Sequence, residues 1–322
     1  MKERVRRSWL IVPAHKTDLV SQASATKADV VVLDLEDTVH DTRKAEARQK
    51  MREAIQLIRN SGSEVFVRCD PDFLYADLES SVYRGLTGVL LPRITSVEQV
   101  QDAEHTLAEF EAQRGVRKPP PVGEILEVDE ARTIENSLEL HLSLDTGRGN
   151  WDAPKLIQAS PRVRSVSLGR ADLTMDLRPE PEGDLHLMPY LMQRLILVAN
   201  ATGVQPIGAW WQSASRGLVD TPQNTYHAAA TGRKAGFKGA LCMRANQVEA
   251  LNRGFTPSSE DLSQAQAILH AFATAQARGL SRAVDHRQFI DQGIAGAASR
   301  LLDLAVACQA TDQAKLHPIE GA

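Results

Sequence analysis

Charged residues follow several short apolar segments of the chain, and their types could hold a cation beside an acidic substrate. Carboxylates and guanidinium groups both occur where the segments end. These residues are Asp34, Glu36, Asp37, Arg68, Arg93, Asp145, Arg170, Asp172 and Arg244. Surface loops are often charged, so any one of them alone could be a solvated or salt-bridged side chain. Six segments that end in this way favour a functional site.

The residue types predict metal-dependent chemistry next to a carbonyl group. Carboxylates from different segments suit Mg²⁺, which prefers oxygen ligands and keeps waters that a substrate can replace. Asp145 and Asp172 are the predicted ligands, and Mn²⁺ is the alternative ion. Arginines beside them would bind a substrate carboxylate through paired hydrogen bonds, while the metal polarises the carbonyl. None of these segments ends in lysine, and Lys238 opens the eighth, which disfavours a Schiff-base aldolase.

Composition and missing motifs exclude several other classes. The 37 basic and 41 acidic residues give a net charge of -4 with no basic stripe, so nucleic acid and anionic membranes are not expected partners. The three cysteines lack disulfide or zinc spacing, and a cytoplasmic location is predicted. No apolar stretch approaches a membrane span. The motifs of serine hydrolases, P-loop NTPases and Rossmann dehydrogenases are absent.

Eight short apolar segments must position the charged residues. They are SWLIVPA at residue 8, DVVVLDL at 29, EVFVRCD at 64, TGVLLPR at 87, ELHLSLD at 139, RSVSLGR at 164, QPIGAWW at 205 and KGALCMR at 238. Most are continuous and β-branched, which is typical of strands buried on both faces. Helical spacing between them, as at 43–58, 96–113, 187–201, 224–235 and 245–252, predicts alternating strands and helices. The pattern favours a (β/α)8 TIM barrel over a doubly wound open sheet.

Two segments depart from eight equal units. Residues 113–138 form a Pro-rich and acidic connection before the fifth strand. Residues 256–322 run past the eighth unit and predict two helices, at 261–278 and 288–307. The predicted organisation is therefore a barrel over residues 1–255 and a C-terminal helical extension over 256–322.

Ordered motifs along the whole chain carry a resemblance to a known family. They are Arg7-Ser8-x-Leu10-x-Val12-Pro13, Leu33-Asp34-Leu35-Glu36-Asp37, Val67-Arg68, Leu91-Pro92-Arg93, Asp145-Thr146-x-Arg148-Gly149, Leu168-Gly169-x-x-Asp172-Leu173 and Gly236-Phe237-x-Gly239. In this order they resemble the citrate lyase β-subunit-like family of the HpcH/HpaI aldolase and citrate lyase superfamily. The resemblance implies a TIM barrel, Mg²⁺ dependence, a homo-oligomer such as a trimer or hexamer, and cleavage of a 3-hydroxyacyl thioester or a related acid.

The resemblance also implies roles for individual residues. The metal-binding Glu and Asp of the family fall on Asp145 and Asp172, and its substrate-binding arginine falls on Arg68. Its acidic pair falls on Glu36 and Asp37, which are predicted to be catalytic with Arg68. Asp291 matches an aspartate that the family presents to a neighbouring subunit's site as the acid or base. Arg7 and Arg244 are further predicted substrate-binding residues.

Three positions differ from the family pattern. Asp145 is one methylene shorter than the family's Glu, and Glu127 is a rival candidate that lacks the T-x-R-G continuation. Ala14 replaces the glycine that usually follows Val-Pro. Met243-Arg244-Ala245 stands where Ile-His-Pro is common, so Arg244 could recognise a second carboxylate or a phosphate, or form a structural ion pair.

Three functions follow from these observations. The first is a Mg²⁺-dependent carbon–carbon lyase that cleaves a citryl-, citramalyl- or malyl-type coenzyme A thioester into an oxo acid and an acyl thioester. The second is a class II pyruvate-type aldolase acting on a free hydroxy-oxo acid. The third is a noncatalytic binding or accessory subunit. Dependence on coenzyme A separates the first two, and loss of binding after removal of an aspartate ligand argues against the third.

Overall fold

The computed structural model describes residues 4–118, 137–169, 173, 176, 188–211, 220–285 and 288–316. Asp172, Arg170 and Glu127 lie outside these residues. The described chain divides into two compact units, one that ends at Phe255 and one that spans Thr256–Leu316.

Eight parallel strands form the first unit. They are β1 (Ser8–Pro13), β2 (Val30–Asp34), β3 (Glu64–Arg68), β4 (Gly88–Leu91), β5 (Glu139–Ser143), β6 (Val163–Ser167), β7 (Gln205–Ile207) and β8 (Ala240–Cys242). Strands β1 to β7 pair in chain order, and β8 pairs with β1, which leaves a gap only between β7 and β8. A parallel bridge between Ile207 and Gly239 closes the remaining gap, where the Gly208 amide donates to the Gly239 carbonyl at 2.6 Å. The predicted barrel is confirmed, and the open doubly wound alternative is wrong.

Helices cover the outside of this sheet. They are α1 (Thr17–Ala25), α2 (Lys44–Asn60), α3 (Leu74–Ser81), α4 (Val97–Arg114), α5 (Gly147–Trp151), α6 (Ala153–Gln158), α7 (Met188–Thr202), α8 (Pro222–Ala235) and α9 (Val248–Phe255). Their ends follow local sequence signals. In α4, for example, Ser96 and Gln99 form a capping box, and Gly115 ends the helix in the left-handed conformation at φ 61°. None of the helices in the described ranges is long and apolar enough to cross a membrane.

Strand residues alternate between two apolar cores. Val31 and Leu33 of β2 belong to the larger core, which includes helix residues such as Met51. Val30 and Val32 belong to a smaller core with Trp9, Phe66, Leu90 and Ile207 inside the barrel. Because both faces are buried, most strands are continuous apolar runs in the sequence. Asp34 has the same inward parity as Val30 and Val32 at the carboxyl end of its strand.

A buried ion cluster lies at the amino ends of the strands. Arg6 pairs with Glu64 at 2.5 Å and with Glu139 at 2.7 Å, and the Lys118 ammonium group donates to Glu139 at 3.0 Å. Burial alone would raise the pKa of Glu139, but the Arg6 and Lys118 charges hold this pKa at about 2. The carboxylates of the cluster therefore stay ionised at this end of the barrel.

The second unit contains two long helices and a β-hairpin. These elements are α10 (Ser259–Ala277), β9 (Ala283–Asp285), β10 (Gln288–Ile290) and α11 (Gln292–Ala314). The predicted helix over 288–307 is wrong at its start, because residues 288–290 pair with β9. Buried Ala283 and Ile290 pack with Phe272 of α10. Asp291 ends the hairpin and caps α11, where its carboxylate accepts the Ile294 amide at 2.9 Å.

Candidate active site

The loop after β2 folds around the carboxylate of Asp34. This side chain is fully buried. It accepts hydrogen bonds from the backbone amides of Glu36 and Thr38, both at 3.0 Å, and from the Thr38 hydroxyl at 2.6 Å. These contacts hold the acidic Leu35-Glu36-Asp37 turn at the carboxyl end of the barrel.

Arg68, at the end of β3, is bound to Asp34 through a bidentate ion pair. Its Nε donates to Oδ1 and its Nη2 to Oδ2, each at 2.6 Å. Burial would raise the pKa of Asp34, but the charge and hydrogen bonds of Arg68 lower it below its ordinary range. Nη1 points toward Glu36 at 3.2 Å and Asp37 at 3.3 Å. The structure thus brings the three predicted catalytic residues of this unit together.

Glu36 is a buried carboxyl group with an incomplete set of partners. It is 5% exposed, and its Oε1 lies 3.1 Å from Nη2 of Arg93. Its Oε2 has no hydrogen-bond partner among the described residues. Burial raises the pKa of Glu36 to about 7; Arg68 opposes this shift, Asp37 and Asp34 add to it, and Arg93 opposes it. Glu36 can therefore gain or lose a proton near neutral pH.

Asp145 follows β5 and is held by donors from two strands. The Ser143 hydroxyl donates to Oδ1 at 2.5 Å, and the Arg93 backbone amide donates to Oδ2 at 3.0 Å. Arg93 adopts the left-handed conformation at φ 52°, which costs about 1–2 kcal/mol for a non-glycine residue. Gly169 lies against the same carboxylate, since a Cβ there would sit 1.9 Å from Oδ1. The chain therefore leaves space for this carboxylate and fixes its orientation.

The donor chemistry around Asp145 fits a hard cation. The carboxylate is buried, and each of its two oxygens, which carry two lone pairs apiece, accepts a hydrogen bond from the chain. Mg²⁺ sites often use only one or two carboxylates and complete the shell with water. Within the described ranges no three His, Cys, Asp or Glu side chains form a metal-binding group. The second predicted ligand, Asp172, lies outside those ranges.

The two further predicted arginines lie in different places. Arg244 follows β8 at the carboxyl end of the barrel, with an exposed side chain and no ion pair to any described residue. Arg7 precedes β1 at the opposite end. Its Nε and Nη2 donate to the Asp29 carboxylate at 2.9 and 3.0 Å, and both residues are buried. The structure does not bring Arg7 to the site, where a substrate-binding arginine would have to lie.

A comparison with models of protein families identifies the family of the chain. The model of the HpcH/HpaI aldolase/citrate lyase family matches residues 7–245. The chain belongs to this family. Membership of the HpcH/HpaI aldolase/citrate lyase family indicates that the protein is a lyase.

Relatives of the chain in the HpcH/HpaI family match over nearly its full length. Citrate lyase subunit beta of Haemophilus influenzae is 27% identical over 94% of this chain and 97% of the relative. L-malyl-CoA/beta-methylmalyl-CoA lyase of Cereibacter sphaeroides is 24% identical, covering 89% and 91%. The crystal structure of CitE from Mycobacterium tuberculosis, in complex with magnesium, acetoacetate and coenzyme A, has a TM-score of 0.67. It is 20% identical and covers 94% of this chain and 98% of that one, which supports the barrel fold.

Sequence reasoning missed three contributors to this site of the HpcH/HpaI-family barrel. In the sequence Asp34 stands out only as a charge at a strand end. Its position between two apolar residues of a buried strand nevertheless indicates that it must pair with a cation such as an arginine. His141, Ser143 and Asp145 lie two residues apart along β5 and its end, a spacing that indicates one shared inward face. For Arg93, no residue type in Leu-Pro-Arg signals a left-handed backbone, so its amide contact was not predictable.

Proposed function

We propose that the protein is a Mg²⁺-dependent carbon–carbon lyase that cleaves a citryl-, citramalyl- or malyl-type 3-hydroxyacyl thioester into an oxo acid and an acyl thioester. The observation that carries the proposal is the arrangement of carboxylates around the Arg68 guanidinium group. Asp34 fixes its guanidinium group, and Glu36 and the Asp145 carboxylate stand at the ends of nearby strands. The name of the L-malyl-CoA/beta-methylmalyl-CoA lyase relative and the coenzyme A in the M. tuberculosis CitE complex support the thioester class.

Asp145 and Asp172 would hold the ion. When bound, Mg²⁺ supplies a Lewis acid that polarises the carbonyl oxygen of the oxo acid. Magnesium in the M. tuberculosis CitE complex supports this choice of ion.

Asp34 occupies one edge of the Arg68 guanidinium group and fixes its orientation. The carboxylate of the oxo-acid half would bind at Nη1, where it replaces the exposed Asp37 carboxylate that accepts from Nη1 at 3.3 Å. Glu36 lies 3.2 Å from Nη1 and exchanges the proton of the 3-hydroxyl group, since a general base works best when its pKa lies near the working pH. Asp291 of a neighbouring subunit would return a proton to the acyl carbon.

Calorimetric titration of metal-free protein with Mg²⁺, then with pyruvate, oxaloacetate and acetyl-CoA, tests this function. We expect oxo-acid binding that requires Mg²⁺ and is lost in Asp145→Ala and Asp172→Ala. Asp102→Ala, an exposed aspartate on α4, is the matched control and should bind as the wild type does. No Mg²⁺-dependent binding in the wild type would overturn the proposal and favour an accessory subunit.

A free hydroxy-oxo acid is the second candidate substrate. The observation that favours it is the exposed Arg244 after β8, which has no ion pair among the described residues and could bind a second carboxylate. Turnover of malyl-CoA or citramalyl-CoA but not of 4-hydroxy-2-oxo acids would select the thioester lyase. The opposite result, together with loss of activity in Arg244→Ala, would select the aldolase.

A further inference from the structure

Four polar side chains form a row inside the apolar barrel, directly below Asp145. They are His141 and Ser143 on β5 and Ser165 and Ser167 on β6, all at most 6% exposed. His141 Nδ1 lies 2.8 Å from the Ser165 hydroxyl, and Nε2 lies 2.9 Å from the Ser167 hydroxyl. The Ser167 and Ser143 hydroxyls are 3.1 Å apart. Trp9 packs against the imidazole at 4.9 Å between ring centroids.

The carboxylate at the top of this row fixes the direction of every hydrogen bond in it. An ionised carboxylate can only accept, so Ser143 must donate to Asp145 and accept from Ser167. Ser167 must then accept from His141 Nε2–H, and Nδ1 accepts from Ser165. Burial and the Arg6 charge lower the pKa of His141 to about 3, so the imidazole is neutral and can donate through only one nitrogen.

Contacts from neighbouring strand ends hold the carboxylate of Asp145. An aspartate has one methylene fewer than a glutamate, so its carboxylate stays close to β5. The Ser143 hydroxyl and the Arg93 amide each bind one oxygen. Gly169, just after β6, leaves the space that a Cβ would otherwise fill beside Oδ1. The hydroxyl of Ser143 is therefore one side-chain contact that helps to fix the angle of the carboxylate.

We infer that His141, Ser167 and Ser143 are positioning residues that orient the Asp145 carboxylate toward Mg²⁺ through a one-directional chain of hydrogen bonds. This inference rests on the proposed function, because it takes Asp145 as a metal ligand. Groups that orient a ligand in this way typically change metal affinity by about 10–100-fold when they are removed.

The test is the Mg²⁺ affinity of purified full-length variants, measured by calorimetry. We expect Ser143→Ala to bind Mg²⁺ at least about 10-fold more weakly than the wild type, and Ser143→Thr, which keeps the hydroxyl, to recover most of the affinity. Ser63→Ala is the matched control. Ser63 is equally buried and donates to the Ala28 carbonyl at 2.7 Å, in the loop before β3, so its loss should leave the affinity unchanged.

A spectroscopic measurement tests the direction of the chain independently of affinity. Protein labelled with ¹⁵N-histidine should show His141 as the Nε2–H tautomer, assigned by its loss in His141→Gln. An Nδ1–H tautomer would overturn the inferred direction. Wild-type affinity in Ser143→Ala would overturn the inference but leave the proposed function intact. Absence of Mg²⁺ binding in the wild type would overturn both.

Discussion

Two neighbouring carboxylates after β2 have different environments and therefore different roles. Asp34 accepts hydrogen bonds at both oxygens and is paired with Arg68, which keeps it ionised. Glu36 is buried with one oxygen that lacks a hydrogen bond within the described structure, and burial raises its pKa to about 7. A fixed anion and a proton carrier thus lie two residues apart in the sequence. Two carboxyl groups whose environments push their pKa values apart are typical of acid–base sites.

Glu36 should make the stability of the metal-free protein depend on pH. Between its ordinary pKa of 4.5 and about 7, the folded protein keeps a proton that the unfolded chain has released. The free energy of unfolding therefore falls as pH rises through this window. Glu36→Gln should remove this pH dependence. The difference in free energy of unfolding, variant minus wild type, should therefore be about 1–3 kcal/mol larger at pH 8 than at pH 4.5.

Urea denaturation at the two pH values measures this difference. Glu53→Gln, on the exposed face of α2, is the matched control. A gain for Glu36→Gln that is equal at both pH values would contradict the assignment of the raised pKa to Glu36.

Asp34→Asn should weaken both the fold and the site. The amide group cannot accept the hydrogen bonds that one carboxylate oxygen now receives, and Arg68 loses its buried counter-charge. Breaking a buried ion pair in this way typically costs about 3–5 kcal/mol. Asp37→Asn, which touches Arg68 from an exposed position, should cost less than about 1 kcal/mol. Similar losses in the two variants, measured in urea, would show that Asp34 does not hold Arg68.

At the scale of elements, the close approach of β5 and β6 determines which residues can follow them. Gly169, just after β6, lies so near Asp145 that any side chain there would displace the carboxylate. Arg93, after β4, bends into the left-handed region, and its amide meets the same carboxylate. Three neighbouring strand ends therefore define the position of the Asp145 carboxylate.

Gly169→Ala should lower Mg²⁺ affinity by at least about 10-fold and destabilise the metal-free protein by about 1–3 kcal/mol, because the new methyl group overlaps Oδ1. Gly296→Ala is the opposite control: this glycine lies within α11, where a Cβ meets only the flexible end of Arg300 at 3.4 Å, and alanine should stabilise the helix by about 0.5–1 kcal/mol. Calorimetry and thermal melting measure both. Unchanged Mg²⁺ affinity in Gly169→Ala would contradict the close contact.

Most strands were predictable because they are apolar runs buried on both faces, and the runs of β2 and β3 lead directly to Asp34 and Arg68. The hairpin at Ala283–Asp285 and Gln288–Ile290 was not. Its strands have three residues each, too short to show an alternating pattern, and they are defined by pairing with each other and packing on Phe272. Polar contacts inside the barrel, such as those of His141, likewise depend on which strands become neighbours.

At the scale of the whole molecule, the predicted role of Asp291 requires more than one copy of the chain. Within its own unit this carboxylate caps α11 and is exposed. If a neighbouring subunit uses it, Asp145→Ala and Asp291→Asn are each inactive, but a mixed oligomer contains complete sites. We expect about a quarter of wild-type activity from an equal mixture refolded together, on the proposed lyase function.

Separately refolded variants that are mixed afterwards serve as the control for this complementation. Light scattering on the same samples would establish the number of subunits. No recovery of activity in the co-refolded mixture would show that each site uses only its own chain.

The ion cluster of Arg6, Glu64, Glu139 and Lys118 lies at the amino ends of the strands, at the end of the barrel opposite Glu36 and Arg68. The amino end of the barrel therefore contributes to stability away from the proposed chemistry, whereas at the carboxyl end Asp34 and Arg68 support both the fold and the proposed site. Exposed residues after the strands, such as Arg244, could be exchanged without loosening the scaffold. A library randomised only at those positions should stay mostly folded, which makes this chain a starting point for evolving new substrate preferences.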